Sequence, residues 1–544
     1  MCKPHAKATT LTLAVNCVRR FLITLGDSAL ELSIDDKKVK VGPGASVLDA
    51  ARAAGFRVPS MCYLEGCGKL SSCMVCLVKD AKTGKLYPSC SAPVSEGMSV
   101  ITGSQDVIDA RKAGIELLLS EHFGDCEGPC RRGCPAGMDI PLMIRQIAAG
   151  KLNDAIRTVK EHIALPAVLG RICPAPCEKV CRRSQADDAV SICLLKRFVA
   201  DADLAQPAPW VPKRAKHTGK RVTIIGAGPC GLSAAYYLLQ MGHSCTIYDS
   251  EPAAGGAIRG LVSDNRLPAR VLEAEIGMIM KLGCTFVPGK QVGKAIRVSE
   301  ILAKSDVVVL AAGKGSVALA SDLGIDATAA GISIAAKTFQ TSKPGIFAGG
   351  NAVKEGKLAV RSVGHGHNIA FAVGQYLAGQ PVTGISDAFD SRMGKLDKDH
   401  IAAFMKEADA SGRIKPPANE GLSNEDALVE SARCYRCDCR KKHACKLRDY
   451  AGEYSASQDR FKGPERKHFE RIKRQGLIVF EPGKCIKCGI CVKVTEKAGE
   501  KLGLTFVGRG FDVRIAVPFN ESIEAALTKA AKECIESCPT GALS

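Results

Sequence analysis

Cysteine is the residue whose number and spacing most limit what this chain can do. The sequence holds 26 cysteines in 544 residues, gathered into groups whose members stand two to five residues apart. Dense cysteine serves disulfide scaffolds in short secreted chains and metal ligation in cytosolic ones. This chain is long and 46% hydrophobic, enough to build cores without covalent staples. Neighbours so close in sequence suit one metal centre better than long-range cross-links. Thiolate ligation of metal in a cytoplasmic protein is the expectation.

The first group lies in residues 30–103. A β-hairpin is predicted from Glu31 to Val41, turned at Asp35-Asp36. A short helix follows from Ser46 to Ala54, opened by Ser46 and closed by Gly55. Then come Cys62, Cys73, Cys76 and Cys90, with gaps of ten, two and thirteen residues. A loop wrapping a [2Fe–2S] cluster needs closely placed cysteines and one more returning from the next strand. Hairpin, helix and spacing together resemble the plant-type, β-grasp ferredoxin-like domain that begins complex I's large peripheral iron–sulfur subunit. Related hydrogenases and formate dehydrogenases share it. Cys67, inside the loop, matches no ligand position and reads as a partly buried thiol.

Residues 104–205 read as helical, with apolar periodicity from Ile140 to Ile163. Cys126, Cys130 and Cys134 precede this stretch, and Cys173, Cys177 and Cys181 follow it. Six cysteines in two groups exceed what one cluster can use. "CPAGMDIP", "GRICPAPCEKVC" and "LLKRF" resemble the N-terminal domain of glutamate synthase small subunits. That domain also occurs in dihydropyrimidine dehydrogenase and in the bifurcating NADH-dependent ferredoxin:NADP oxidoreductase. The resemblance implies two [4Fe–4S] clusters, one on Cys126, Cys130 and Cys181 and one on Cys134, Cys173 and Cys177. Each then lacks a fourth ligand. His122 stands in the His-x3-Cys spacing of a histidine-ligated cluster in complex I and is the candidate for the first. Cys193, just before "LLKRF", is the candidate for the second.

Residues 215–385 carry a nucleotide signal. "RVTIIGAGPCGLSAAYYLLQMGHSCTIYDSE" reads strand, glycine-rich turn, helix, strand, with Gly226, Gly228 and Gly231 as G-x-G-x-x-G and Pro229 at the helix start. The first glycine permits the tight turn, the second lets backbone approach a pyrophosphate, and the third lets helix pack on strand. The helix N-terminus then faces the phosphates. Asp249 ends the second strand, 23 residues after Gly226, where a carboxylate can take ribose hydroxyls. "GGAIRG" (Gly255, Gly256, Arg259) and "RLP" (Arg266, Leu267) resemble the FAD-side motifs of the glutamate synthase family. "TSKPGIFAGGN" (Gly349, Gly350, Asn351) resembles its second FAD motif. That family has Asp at the last position. The amide of Asn351 still accepts a hydrogen bond but adds no negative charge, which implies a higher flavin potential. Family members also insert a separate pyridine-nucleotide domain after the strand "DVVVLAAG". Only 27 residues separate Gly313 from Thr341 here, too few for a βαβ unit. "GKGSVA" at Gly313–Ala318 therefore reads as a decoy. Cys230, Cys245 and Cys284 read as packing residues.

A charged, helical linker is expected over 386–430. Cys434, Cys437, Cys439 and Cys445 then fall within twelve residues, and residues 431–450 read as one four-cysteine site. Both iron–sulfur and structural zinc accept such spacing. Residues 476–544 hold Cys485, Cys488 and Cys491, and later Cys538 before Pro539. In two-cluster ferredoxins the fourth cysteine of a run ligates the other cluster. Here the surviving set is that of one [4Fe–4S] cluster, and Cys534 reads as a relic. "GKCIKCGICV", "GRGF" and "CPTGAL" resemble the ferredoxin-like segment of NAD-linked hydrogenases and formate dehydrogenases.

The formal charge is +19, from 75 basic and 56 acidic residues. A cysteine-ligated [4Fe–4S] cluster brings about −2, so several clusters and FAD offset much of that surplus. Basic residues are scattered and aromatics few, which argues against nucleic-acid binding. No run of 18 apolar residues predicts a membrane span. Residues 1–29 read as an extension and not as a signal peptide. The expected fold is multidomain, α/β and α+β. It comprises a β-grasp [2Fe–2S] domain, a helical two-cluster domain, a Rossmann-like FAD domain lacking the inserted NAD(P) domain, and a C-terminal ferredoxin-like domain. The expected cofactors are FAD, one [2Fe–2S], three or four [4Fe–4S] and, alternatively to a cluster, zinc at Cys434–Cys445. FAD handles electron pairs and clusters single electrons, and no acid–base pair or nucleophile stands out. The sequence therefore reads as an electron-transfer subunit. Its expected partners are an NADH-linked flavoprotein, a formate dehydrogenase or hydrogenase subunit, or ferredoxin. The alternative is a glutamate-synthase-type small subunit feeding a synthase.

Overall fold

The computed structural model describes residues 29–261, 267–417, 419–463, 472–473 and 478–544. Arg266 and the expected extension up to residue 28 lie outside them. The chain forms two compact units. An intervening unit takes the described residues of Gly128–Asp387 and Ala408–Cys437, and a flanking unit takes the described residues up to Glu127, Ala388–Glu407 and those of Asp438–Ser544.

The flanking unit opens with β1 (Leu30–Ile34) and β2 (Lys37–Val41), paired antiparallel from Leu30↔Val41 to Ile34↔Lys37. Asp35 and Asp36 turn the hairpin with φ of 44° and 64°, the left-handed pair a two-residue hairpin turn demands. Strands β3 (Leu77–Asp80), β4 (Leu86–Pro88) and β5 (Ser99–Ile101) complete a sheet of order β2-β1-β5-β3-β4, with β1 and β5 parallel. Alternation puts Leu32 and Ile34 on the face covered by helix Val47–Ala53, whose Val47 and Leu48 are buried. Ser46 and Asp49 close that helix's N-terminus with a reciprocal capping box. The longer helix Gln105–Glu121 packs against helix Lys446–Glu453. Near the chain's end, helix Ile490–Lys497 packs on helix Ala531–Ser537 beside the hairpin Thr505–Val507/Arg514–Ala516.

In the intervening unit, helices Ile140–Ala148, Leu152–Lys160, Pro166–Ile172 and Ile192–Leu204 form a bundle. Ile140, Met143, Ile144 and Ile147 make one buried stripe at helical spacing. Lys160 Nζ lies 2.6 Å from Asp203 Oδ2 inside the bundle, both side chains 2% exposed. A parallel sheet follows, built from β6 (Arg221–Ile225), β7 (Ser244–Tyr248), β8 (Thr285–Val287), β9 (Val307–Leu310) and a later strand. After β9 come a short helix, Ala320–Leu323, and the hairpin β10 (Ala327–Thr328) and β11 (Gly331–Ile332). The chain then re-enters the sheet as β12 (Ile346–Ala348), giving the order β12-β9-β6-β7-β8. Val307 to Leu310 are all buried, as a strand covered on both faces requires. Helices Pro229–Gln240 and Ala359–Leu377 cross closely. A Cβ on Gly366 would stand 2.3 Å from the Cys230 carbonyl oxygen, so only glycine allows this approach.

The 386–430 stretch, expected to be helical, holds two short helices, Lys398–Met405 and Asn424–Ala432, with irregular chain between them. Among the described residues no helix is long and apolar enough to cross a membrane.

Candidate functional site

Strand β6 runs into Gly226, and helix Pro229–Gln240 leaves Gly228, so the glycine turn sits at the carboxyl ends of the parallel strands. There it borders a cavity of about 940 Å³, at the upper end of the roughly 300–1,000 Å³ typical of ligand pockets. The three glycines differ in what surrounds them. Gly226 has φ of 111°, and a Cβ there would stand 2.5 Å from Ala312 N. A Cβ on Gly231 would stand 2.0 Å from the Gly226 carbonyl oxygen. Gly228 has an extended backbone and only the Ala311 carbonyl, at 4.0 Å, within reach of a Cβ. Its open side faces the cavity, as close approach of a pyrophosphate needs.

Asp249 lies on the same rim. Its Oδ2 accepts from Ala227 N at 2.6 Å and its Oδ1 from Glu251 N at 2.9 Å, and each oxygen keeps a lone pair for a ribose hydroxyl. Gly256 and Arg259 line the cavity from a short helical turn, with Gly255 N bonded to the Ala227 carbonyl at 2.9 Å. Arg259 also bonds the Ala254 carbonyl and pairs with Glu273 at 2.8 Å. Leu267 is wholly buried. Gly350 and Asn351 come from the turn after β12, while Gly349 backs that turn, a Cβ there standing 2.5 Å from Ile369 Cδ1. The cradle fits a dinucleotide such as FAD.

Sequence reasoning missed two features of this cavity. His365 Nδ1 accepts from Gly350 N at 3.1 Å. Burial, then Arg361, lowers its pKa to about 4, so it stays a neutral acceptor that fixes the turn. The stretch 313–318, read as a decoy, contributes Gly313 and Gly315 to the cavity wall. Cys230 also borders the cavity, but burial raises its thiol to about 12, the behaviour of a packing residue.

The thiols converge in groups. Cys62, Cys73, Cys76 and Cys90 are all buried. Hydrogen bonds from Cys73 and Cys90 lower Cys62 to about 2, and one from Cys90 lowers Cys76 to about 6. Ser71 and Met74 in this loop have φ of 50° and 53°, which bends the backbone around the four sulfurs. Cys67 is buried in the same core as Cys62 and Cys73.

In the intervening unit, Cys134, Cys173, Cys177 and Cys193 line one small cavity together with Lys196. Cys193 Sγ points at the Leu169 and Gly170 carbonyls, 3.5 Å from each, and its hydrogen bond lowers Cys173 to about 6. Lys196 is buried, and against that desolvation the neighbouring Cys193, Cys173, Cys134 and Cys177 sulfurs raise its pKa. A cation in a cysteine-lined cavity fits an anionic cluster. Cys485, Cys488, Cys491 and Cys538 line another small cavity, in the flanking unit. Cys534 lies beside it, its Sγ 3.8 Å from the Cys491 carbonyl, raised to about 12 by burial.

Two expected groupings differ in the structure. The Cys434–Cys445 run spans the boundary of the two units, Cys437 closing the intervening unit and Asp438 beginning the flanking one. Cys130 and Cys181 belong to the intervening unit, and Cys126 does not. It belongs to the flanking unit, where its carbonyl accepts from Cys439 N at 3.1 Å. His122 Nδ1 contacts the Lys484 carbonyl at 3.2 Å, and burial, then Lys484, lowers the imidazole to about 4. Among the described residues no three or more His, Cys, Asp or Glu side chains close around a single metal ion.

Three family models match this chain. A 2Fe-2S iron–sulfur cluster binding domain matches residues 27–105. The 4Fe-4S domain II of dihydropyrimidine dehydrogenase matches 123–208. Pyridine nucleotide-disulphide oxidoreductase matches 193–366. Together these are the domain set of an iron–sulfur oxidoreductase with a flavin-type domain. Among curated relatives, the beta subunit of NADPH-Fe(3+) oxidoreductase from Geobacter sulfurreducens is 39% identical over 34% of this chain and 28% of its own length. The beta subunit of NADP(+)-dependent formate dehydrogenase from Moorella thermoacetica is 37% identical over 34% of this chain and 29% of its own. The small chain of NADPH glutamate synthase from Mycobacterium tuberculosis is 35% identical over 35% of this chain and 39% of its own. The chain thus spans less than half the length of these curated relatives.

Proposed function

We propose that this chain is an electron-transfer subunit of a multi-subunit oxidoreductase, passing electrons between FAD and a series of iron–sulfur clusters. One observation carries the reading: a glycine-lined dinucleotide cavity and several separate thiol-lined sites lie in one chain. FAD, when bound, exchanges electron pairs, and clusters take one electron at a time. Gly226, Gly228 and Gly256 would admit the pyrophosphate, Asp249 would hold the ribose, and the Gly350–Asn351 turn would close the other side. Cys62, Cys73, Cys76 and Cys90 would hold a [2Fe–2S] cluster. Cys134, Cys173, Cys177 and Cys193 would hold one [4Fe–4S] cluster, and Cys485, Cys488, Cys491 and Cys538 another.

The relatives named as subunits of an iron(III) reductase and a formate dehydrogenase support partners of the same kind. Between β9 and β12 the described residues form a 3-10 helix, a short α-helix and a hairpin of two-residue strands. Among the described residues, that segment leaves no room for an inserted second nucleotide domain, which disfavours the glutamate-synthase-type reading. The test is anaerobic purification with flavin, iron and sulfide quantitation, then mixing with NADH or NADPH. Full cofactors and no flavin reduction by either nucleotide support a wire that depends on partner subunits. Rapid reduction by the isolated chain refutes it.

A further inference from the structure

The cysteine run 434–445 looks like one site in sequence, yet its halves make their contacts in different units. The first half is held by Arg183, two residues after Cys181. Its Nη1 donates to the Arg433 and Asp409 carbonyls, 2.7 Å each, and its guanidinium lies 5.4 Å from the Tyr435 ring centre. Arg433 and Tyr435 bracket Cys434, so this buried arginine draws Cys434 to Cys181. Helices Pro129–Gly133 and Pro176–Lys179 pack together, a Cβ on Gly133 standing only 2.5 Å from Val180 Cγ2. That contact brings Cys130 to the same place. Cys130, Cys181 and Cys434 all pack, half-buried, against the core of the intervening unit.

The local backbone of Cys434–Cys437 also matches a ligand-presenting pair elsewhere in the chain. Arg436 has φ of 50°, and its N–H donates to Cys434 Sγ at 3.4 Å. Lys487, at the same position in Cys485-x2-Cys488, has φ of 55° and donates to Cys485 Sγ at 3.3 Å.

The second half is held in the flanking unit. Besides the bond from Cys439 N to the Cys126 carbonyl, Glu127 is gripped by Lys442 at 3.2 Å and Arg448 at 2.9 Å, three residues before and three after Cys445. Cys126 Sγ accepts from Ser391 N at 3.4 Å. A Cβ on Gly541 would fall 2.2 Å from Cys439 Sγ and 3.8 Å from Lys484 Cδ. Glycine there leaves room around the sulfur, and the same Lys484 offers its carbonyl to His122 Nδ1. A histidine whose Nδ1–H is bonded to a carbonyl presents its Nε2 lone pair for ligation.

We propose that the run serves two iron–sulfur sites, one in each unit: Cys434 and Cys437 complete a site with Cys130 and Cys181, while Cys439 and Cys445 complete another with Cys126 and His122. The proposal rests on the iron–sulfur reading above. It gives each site four ligands without sharing a thiol between sites, and it leaves none of the four run cysteines for zinc.

The test uses the full chain, anaerobically reconstituted with iron and sulfide, and counts iron in alanine variants. Cys437→Ala and Cys130→Ala should each lose about four irons, and their double variant the same four. Cys437→Ala with Cys439→Ala should lose about eight. Pulsed EPR of the reduced wild type, which needs no variant, should show a nitrogen coupling that persists in Cys437→Ala and vanishes in His122→Cys. If Cys437→Ala and Cys439→Ala remove the same four irons and their double variant loses no more, the run is a single site and the proposal fails. A wild type with full iron but no nitrogen coupling overturns the role of His122. A wild type that takes up no iron refutes the iron–sulfur reading itself.

Discussion

Gly228 and Gly231 stand three residues apart in one turn, and the structure assigns them opposite sensitivities. Gly228 has φ of −76° and ψ of −177°, a conformation open to any residue. A methyl there meets no atom closer than the Ala311 carbonyl at 4.0 Å. Alanine should cost the flavin-free protein only the N-cap difference, roughly 0.5–1 kcal/mol. With FAD present the same methyl fills the point of closest approach to the pyrophosphate. Taking overpacking at about 1–3 kcal/mol, the Kd for FAD should rise roughly 5- to 150-fold. Gly231→Ala places its methyl 2.0 Å from the Gly226 carbonyl oxygen and 3.1 Å from Ile224 Cγ2. Helix and strand must part, so the flavin-free protein itself should lose about 1–3 kcal/mol. Urea unfolding of flavin-stripped protein and FAD titration by fluorescence quenching separate the two quantities. A Gly228→Ala variant that binds FAD as tightly as the wild type would refute the placement of the pyrophosphate.

Three further outcomes are expected. Asn351→Asp adds a negative charge to the cavity wall and should lower the flavin midpoint potential in a redox titration. An unchanged potential counts against Asn351 as a flavin neighbour. Lys160→Met leaves Asp203 buried at 2% exposure without its 2.6 Å partner and should cost about 3–5 kcal/mol in urea unfolding. Glu275 accepts from Ala167 N and Val168 N at 2.7 and 2.9 Å, and burial raises its carboxyl from 4.5 to about 7. The folded state therefore holds the proton more tightly than the unfolded chain. Stability should be fullest below pH 4.5 and decline as pH rises through 7, by an amount on the order of 3 kcal/mol. Glu275→Gln should flatten that slope in urea midpoints measured from pH 5 to pH 8.

Much of this protein is legible in its sequence because its signals are local. Cys485-x2-Cys488-x2-Cys491 and the turn Gly226–Gly231 each act over a few residues of backbone, so spacing alone carries their geometry. The hairpin at Asp35-Asp36 and the cap at Ser46 are local in the same sense. The 27 residues between Gly313 and Thr341 set a limit by length alone, and the structure fills them with a short helix and a hairpin. The missed residues are nonlocal. His365 reaches Gly350 from inside a helix fifteen positions away, and no spacing rule connects them.

The cysteines of 434–445 mark the boundary between the two kinds of information. Their types and tight spacing by themselves determined that they are metal-binding candidates. Which partners they keep was decided only in the tertiary structure. Arg183 binds the Arg433 carbonyl across 250 residues, and Cys439 binds the Cys126 carbonyl across more than 300. The physical reason is that a cluster is held by sulfurs brought together in space, and the path of the chain between them leaves no mark on the local pattern.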